Sequence, residues 1–505
     1  MNKNLAKILA FGTGFVSLGI EILWTRVLSF TQGQTPQIFA TVLTLFLIGI
    51  VIGSYWGKKM TLCADPLAIR QQASTALFCS ALLDVCTPWM WAQVVTYESS
   101  LALPLAAIMI TLSAATKATL FPVVHHLGTS SNSTGLGRSL STVYGLNILG
   151  STLGATWIGF VALELTGTAT WFFILGLSTF FLAWLFLPSA QNKFERLLPA
   201  GFILLFLILL KPLSNFNEKF WAILATGGAP EKINFLTENK TGVIHTVREN
   251  IGSDIIYGGN VYDGRLNTDL LINSNRIDRV AILAGLHAAP KKVLVIGLSG
   301  GAWVEIIRYF PSVESIDVVE IQPAYLDLIS STPIVKGLLT DPRVKIHIDD
   351  GRRWIKKNRD QNFDLIVMNT TFHWRAYITN LLSQEFLSIL HKRMRPNAIL
   401  AFNSTGSPDV LKTAQSVFTH ALRYENFVYA ADWNFSQTES AKRFNLQQFL
   451  DRVIPEESPK KSALFLKLSH PSWISVEEEE RLAGRPLEII TEKNLITEYK
   501  YGRGS

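Results

Sequence analysis

The segment Lys291-Lys-Val-Leu-Val-Ile-Gly297, followed by Leu298-Ser299-Gly300-Gly301, has the make-up of a buried parallel strand, a glycine turn and then a helix to about Phe310. The chemistry of such a turn is close approach: it brings backbone N–H groups and an open helix N-terminus against a ligand. Glu320 stands 23 residues after Gly297, at the end of a second strand read over Val313 to Val319. A carboxylate at that point accepts both hydroxyls of a ribose. A third strand, Val344 to Ile348, runs into Asp349-Asp350-Gly351, and a fourth, Phe363 to Met368, ends at Asn369. Acidic and polar residues thus fall at the carboxyl ends of successive strands, the rim on which open α/β sheets bind ligands. A glycine turn alone is a weak signal. Strand, turn, helix, acid and second acid in order make a βαβ nucleoside site, with Gly297, Ser299, Gly301, Glu320, Asp349, Asp350 and Gly351 as binding candidates.

Beyond the fourth strand the chain reads Asn369-Thr-Thr-Phe-His373-Trp374-Arg375. Arginine can hold a carboxylate through two parallel bonds, tryptophan can lie against a cation, and histidine can move a proton or orient a water. Asn369, His373 and Arg375 are therefore the catalytic candidates, and Trp374 joins the binding set.

These residues occupy only the second half of the chain. At 505 residues, 48% hydrophobic and 17% charged, with a mean hydropathy of +0.25, the sequence is long enough for two domains and too apolar for an ordinary soluble protein. A helix needs roughly 20 mainly apolar residues to cross a bilayer, and stretches near 8–30, 37–57, 74–95, 101–124, 140–163, 169–187 and 197–211 qualify. The last is the shortest, bracketed by Pro199 and Pro212. Lysines and arginines alternate between connections: Lys3 and Lys7, then Lys58, Lys59 and Arg70, then Arg138, then Lys193 and Arg196. Those connections read as cytoplasmic, and seven spans then put the second half outside, whereas six put it inside. Glu21 and Arg26 are expected to pair with each other or with Lys117, and Gly150, Gly154 and Gly159 to let the fifth helix pack closely. A multi-pass protein of the cell (inner) membrane, in contact with the lipid bilayer, is the expectation.

The net charge of +7 is spread over loops rather than gathered in a stripe, which speaks against nucleic acid. Cys63, Cys79 and Cys86 have neither the count nor the spacing of a disulfide framework or zinc site, so no metal is expected. The composition divides the chain into a transmembrane domain over 1–212, a linker with a small β subdomain over 213–288, a Rossmann-like nucleoside-binding domain over 289–435 and a C-terminal extension over 436–505 that packs back on it. In the second segment Gly242 to Arg248, Asp254 to Tyr257 and Thr268 to Ile272 read as strands, Asp263-Gly264 as a turn, and Arg276 to His287 as a helix. A homo-oligomer is left open.

Val293-Leu-Val-Ile-Gly, Pro311-Ser-Val, Val319-Glu-Ile-Gln-Pro, Asp341-Pro-Arg-Val, Asp350-Gly-Arg, Phe363-Asp-Leu-Ile-Val and Leu382-Ser-Gln-Glu-Phe386 together resemble the spermidine synthases (polyamine aminopropyltransferases), in particular bacterial members fused to a membrane domain. The resemblance covers about residues 235–435. It implies a multi-pass α-helical membrane domain plus a soluble α/β Rossmann-like domain of spermidine synthase/methyltransferase type with a small N-terminal β subdomain. It also implies S-adenosylmethionine or its decarboxylated form as the nucleoside, with Glu320 on the ribose, Asp350 on the adenine amino group and Gly297 to Gly301 near the sulfonium and its alkyl arm.

The departures are specific. Where the family carries an aspartate that grips the aminopropyl amine stands Gly300, and where it carries Asp-Ser-Ser-Asp stands Asn369-Thr-Thr-Phe372. The family's tyrosine and histidine before the cofactor strand correspond to Asn275 and Arg276. A protonated polyamine needs carboxylates to hold it and a base to free its lone pair. The sequence therefore favours cleavage of S-adenosylmethionine at the γ-carbon–sulfur bond by its own carboxylate, a lyase reaction giving methylthioadenosine and homoserine lactone. Aminopropyl transfer to a polyamine, methyl transfer, and a non-catalytic sensor or transporter are the rivals.

Overall fold

A computed structural model of the chain describes residues 3–63, 65–128, 136–188, 215–249, 253–369, 378–436 and 440–495. The chain divides into two compact units, Met1–Val243 and Ile244–Ser505.

The first unit is helical: α1 (Lys3–Gln32), α2 (Pro36–Met60), α3 (Pro66–Tyr97), α4 (Ala102–Ala118), α5 (Leu120–Gly128), α6 (Leu136–Trp157), α7 (Thr168–Phe186) and α8 (Phe216–Thr226). Proline follows the cap at the starts of α2 and α3, where its missing N–H costs nothing, and Thr35 and Asp65 accept the first free N–H groups. Among the described residues six helices, α4 and α5 counting as one, are long and apolar enough to cross a membrane. The expected seventh span, 197–211, lies outside the described residues.

Small residues let these helices approach backbone to backbone. A Cβ added to Gly53 of α2 would lie 2.0 Å from the Ala115 carbonyl oxygen of α4, and one added to Gly150 or Gly154 of α6 would lie 2.0 or 2.1 Å from the Phe11 or Phe15 carbonyl oxygen of α1. Gly159 meets nothing within 4 Å. The polar pairing differs from expectation. Residues 21 and 26 are five apart on α1, about 140° around the helix, and do not pair. Arg26 reaches instead to Glu238 (3.1 Å) and to the carbonyls of Lys240 and Gly242, while Lys117 pairs with Asp84 at 2.6 Å. Glu238 also accepts from Trp221 Nε1 (2.7 Å) and from the Thr168 N–H at the start of α7, where Gly167 offers no capping side chain.

Strand β1 (Ile233–Asn239) closes this unit, and β2 (Gly242–Val247), β3 (Ile255–Gly258) and β4 (Val261–Arg265) follow, β3 pairing antiparallel with both β2 and β4. Asp263-Gly264 is not a turn but part of β4, where a register shift and a φ of +123° at Gly264 make a bulge. Residues 268–272 form turns rather than a strand, and the helix expected over Arg276 to His287 is two short pieces, Asp278–Ala281 and Leu283–Leu286.

The rest of the second unit is built on a seven-stranded sheet ordered β10-β11-β9-β8-β5-β6-β7. Its strands are β5 (Lys292–Ile296), β6 (Ser315–Glu320), β7 (Val344–Ile348), β8 (Phe363–Met368), β9 (Met394–Asn403), β10 (His420–Tyr424) and β11 (Phe427–Ala431). The first five run parallel, and β11 and β10 are antiparallel additions. Central β8 is buried at every position, as a strand covered on both faces must be. The chain leaves β5 toward β6 and β7 and returns to β8 on the other side of β5, so the topological switch point lies at the carboxyl end of β5. Helices α9 (Ala302–Arg308), α10 (Ala324–Ser331), α11 (Gly351–Lys357), α12 (Gln384–His391) and α13 (Asp409–Gln415) fill the connections. The C-terminal segment returns onto this unit: Leu487 and Ile490 are buried, and Arg485 grips the buried Asp409 carboxylate with both terminal nitrogens, at 2.8 and 2.6 Å.

The helix contacts set a test. Gly150→Ala is expected to lower the thermal unfolding transition of the full chain in detergent, because its Cβ meets backbone that cannot move aside. Gly145→Ala, with nothing within 4 Å, is expected to be neutral or to stabilise by up to about 1 kcal/mol.

Candidate functional site

The switch point gathers the expected binding residues. Gly297 ends β5 with a φ of +92°, Ser299 sits at +48° and Gly301, at +79°, precedes α9. These left-handed angles suit glycine and fold the turn so that the Leu298 N–H points at Glu320. That carboxylate, at the end of β6 and 5% exposed, accepts from Leu298 N at 2.7 Å and Gln322 N at 2.8 Å. A carboxylate offers about four lone-pair sites. The Leu298 and Gln322 N–H groups take two of them and the Ser299 N–H also acts on the carboxylate, and the capacity that remains suits a ribose hydroxyl. Helix α9 is only seven residues long, so the turn's own N–H groups rather than a helix dipole define this end of the pocket.

Asp349 and Asp350 follow β7. Asp350 caps α11 by accepting from Arg353 N at 2.7 Å, and Asp349 accepts from Asp350 N at 2.7 Å and pairs with the Arg353 side chain. Burial works to raise the Asp349 carboxyl, but Arg353 and the Asp350 N–H outweigh it and hold it below the usual range. Gly351 lies beneath Ile296, whose Cγ2 would be 2.7 Å from an added Cβ. Ile321 and Ile348, exposed beside the two acids, offer apolar surface for a flat base. Asn369 hydrogen-bonds the β5 end through its N–H to the Ile296 carbonyl at 3.2 Å, and its own carbonyl faces Gly297. His373, Trp374 and Arg375 lie outside the described residues.

Asp263, read from sequence as part of a turn, belongs to the site. Its carboxylate accepts from the Tyr325 hydroxyl, and its carbonyl accepts from Ser299 Oγ at 2.9 Å. Burial pushes Glu320 above the ordinary glutamate range; the Leu298 and Gln322 N–H groups oppose that, and the neighbouring Asp263 carboxylate adds to it. The only sequence signal for Asp263 was an acid beside a glycine one strand before the cofactor strand. Asn275 accepts from the Arg265 N–H through its side-chain oxygen at 2.9 Å and Arg276 pairs with Glu425 at 2.8 Å, so both are engaged in holding the fold. A Cβ on Gly300 would lie 2.3 Å from Ile256 Cδ1 and 2.9 Å from Leu266 Cδ2. Apolar side chains of the small sheet and its end fill the space that a larger residue at 300 would take.

The second unit is thus an open, mainly parallel α/β domain with a glycine turn and a buried acid at its switch point. Residues 278–425 match the family model of the spermine/spermidine synthase domain. It is similar to the polyamine aminopropyltransferase of Agathobacter rectalis, 32% identical over 144 residues that make up 28% of this chain and 48% of the relative. The same enzyme of Prochlorococcus marinus strain MIT 9312 is 32% identical over 31% of this chain and 60% of its own length. The chain thus spans about half the length of the curated relatives it matches. A solved spermidine synthase from Thermotoga maritima overlays 51% of this chain and 85% of its own with 16% identity and a TM-score of 0.34.

Two outcomes follow from this geometry. Because the Glu320 carboxyl titrates above its usual 4.5, its stability contribution is present at low pH and lost as pH rises through the raised value. Ligand binding has the opposite sign, since the ionised form is the one that accepts from the ribose. Affinity for methylthioadenosine, measured by calorimetry, is expected to fall on acidification already above pH 4.5. Glu320→Gln is expected to weaken binding by about 10- to 100-fold, the worth of hydrogen bonds to a charged group, and to remove that pH dependence. Gly300→Asp is expected to destabilise the α/β unit in urea unfolding by about 1–3 kcal/mol, and adding Ile256→Ala to recover part of the loss.

Proposed function

We propose that the α/β unit is an enzyme that binds an S-adenosyl sulfonium nucleoside, S-adenosylmethionine or its decarboxylated form, and breaks the bond between sulfur and the γ-carbon of the alkyl arm, releasing methylthioadenosine. The helical unit anchors it in the cell membrane. The observation that carries the nucleoside is Glu320, a carboxylate buried at the switch point and oriented by the backbone N–H groups of the glycine turn, with acceptor capacity left over. The family match and the aminopropyltransferase relatives support alkyl transfer of the aminopropyl type to a polyamine. A sulfonium leaves as a neutral thioether, so the site's main task is alignment and exclusion of water.

A second reading, intramolecular cleavage, is favoured by Gly300. An aminopropyl ammonium wants a carboxylate beside the turn; the space beyond Gly300 is taken by Ile256 and Leu266, Asn369 is neutral, and the nearby Asp263 carboxylate is engaged by the Tyr325 hydroxyl. If the substrate's own carboxylate attacks the γ-carbon, a carbon–oxygen bond forms as the carbon–sulfur pair departs onto sulfur. No base is required, and the products are methylthioadenosine and homoserine lactone. The roles of His373, Trp374 and Arg375, with Arg375 on the substrate carboxylate, rest on sequence alone.

The test is to incubate the purified full chain with S-adenosylmethionine alone, or with the decarboxylated form plus putrescine, and follow products by mass spectrometry. Methylthioadenosine and spermidine from the second mixture only are expected of the transferase. Methylthioadenosine and homoserine lactone from the first establish the lyase, and methylthioadenosine from neither overturns both.

A further inference from the structure

The helical unit holds a charged cluster that the chemistry of the α/β unit does not use. On α3, the Asp84 side chain is 0% exposed and Lys117 of α4 is 2% exposed, with Nζ 2.6 Å from Asp84 Oδ1. Ser113 Oγ donates to Asp84 Oδ1 at 2.7 Å, Lys117 Nζ donates to Ser113 Oγ at 2.8 Å, and Thr179 of α7 donates to Asp84 Oδ2 at 3.3 Å. Charges placed among apolar helices are expensive, and a buried pair repays its desolvation poorly compared with packed hydrocarbon. Packing alone gives no reason to keep them.

Two further features point to a transferable ligand. Pro88 lies inside α3; having no N–H, it leaves the Asp84 carbonyl without its helical donor, a polar oxygen freed beside the carboxylate. One turn earlier on the same face, Ser80 is fully buried and its Oγ has no hydrogen-bond partner among the described residues. Among the elements packed on α3, α7 carries no ionisable residue and α4 only Lys117. The others are Tyr55, Lys58 and Lys59 of α2, His125 and His126 of α5, Glu218 and Lys219 at the start of α8, Arg70 of α3 itself, and Lys7, Glu21 and Arg26 of α1, whose Trp24 meets Trp91 of α3. Among the described residues Asp84 thus has a single ionic partner, Lys117.

We propose that Asp84 and Lys117 form a proton relay within the helical unit. A proton arriving from water on one side adds to Asp84 Oδ1 and neutralises it. The Lys117 ammonium, still buried but no longer facing an anion, sheds a proton toward the other side. The neutral pair resets when the proton on Oδ1 crosses the 2.6 Å to Nζ. One proton enters, one leaves, and the ion pair is restored. Lysine suits this step because its ammonium gives up a proton when desolvated, which a guanidinium does not.

The relay rests on the reading that these helices span a bilayer. The full chain is reconstituted in sealed phospholipid vesicles holding a pH-sensitive dye, with valinomycin and potassium balancing charge, and an acid step is applied outside. Lumenal acidification several-fold faster than in empty vesicles is expected. Asp84→Asn, and Lys117→Arg, which keeps the charge pair but holds its proton, are expected to return it to the empty-vesicle rate without altering methylthioadenosine production. A parent no faster than empty vesicles, or a parental rate in either folded variant, overturns the relay; should Asp84→Asn not fold, Lys117→Arg decides. Release of the parent by alkaline carbonate overturns the membrane reading itself and the relay with it.

Discussion

A buried carboxylate must be held by something, and Glu320 is held by the backbone that surrounds it. Its two oxygens take the N–H groups of Leu298 and Gln322, which fixes the glycine turn against the end of β6. That contact exists only because β5 and β6 run parallel in register, from Lys292 opposite Ser315 to Ile296 opposite Val319, and because Gly297 and Gly301 take backbone angles that fold the turn back. The proposed nucleoside site is thus the consequence of one acid and the strands that present it. Change the register by a residue and the acid points to the other face of the sheet.

The same constraint recurs through both units. Asp409 is held by Arg485 of the C-terminal segment, Asp278 through its Oδ2 by Lys467 and Tyr424, Glu238 by Arg26, Trp221 and the start of α7, and Asp84 by Lys117. Three of these pairings join segments far apart in sequence and fix how the chain returns on itself. Glu320 and Asp84 stand apart, the first because its carboxylate lies at the switch point of the sheet against the glycine turn, the second because its partner is itself a proton donor in an apolar setting.

Much of this was legible in the sequence where local pattern decides the outcome. The strands Val344–Ile348 and Phe363–Met368 could be read from continuous apolar runs ended by polar residues, and the glycine turn and Glu320 from their spacing. The hydrophobic spans stood out by length. What pattern does not encode is pairing across long distances. Arg26 reaches more than two hundred residues to Glu238, and Asp84, one acid in a long apolar helix, drew no notice beside Glu21. Asp263-Gly264 has the composition of a turn, yet pairing with β3 draws it into a strand as a bulge. Gly300 could be seen as a departure from the family, but that Ile256 and Leu266 fill the space beside it depends on the packing of the small sheet against the turn.

The central claim is that the α/β unit recognises a ribonucleoside through the acceptor capacity left on Glu320. The direct measurement compares binding of methylthioadenosine and its 2′,3′-dideoxy analogue to the full chain by calorimetry. Binding of the parent nucleoside with a loss of about 10-fold or more for the analogue, the worth of hydrogen bonds to a charged acceptor, is the expected result. Equal affinity for the two, or no binding of either, would contradict it.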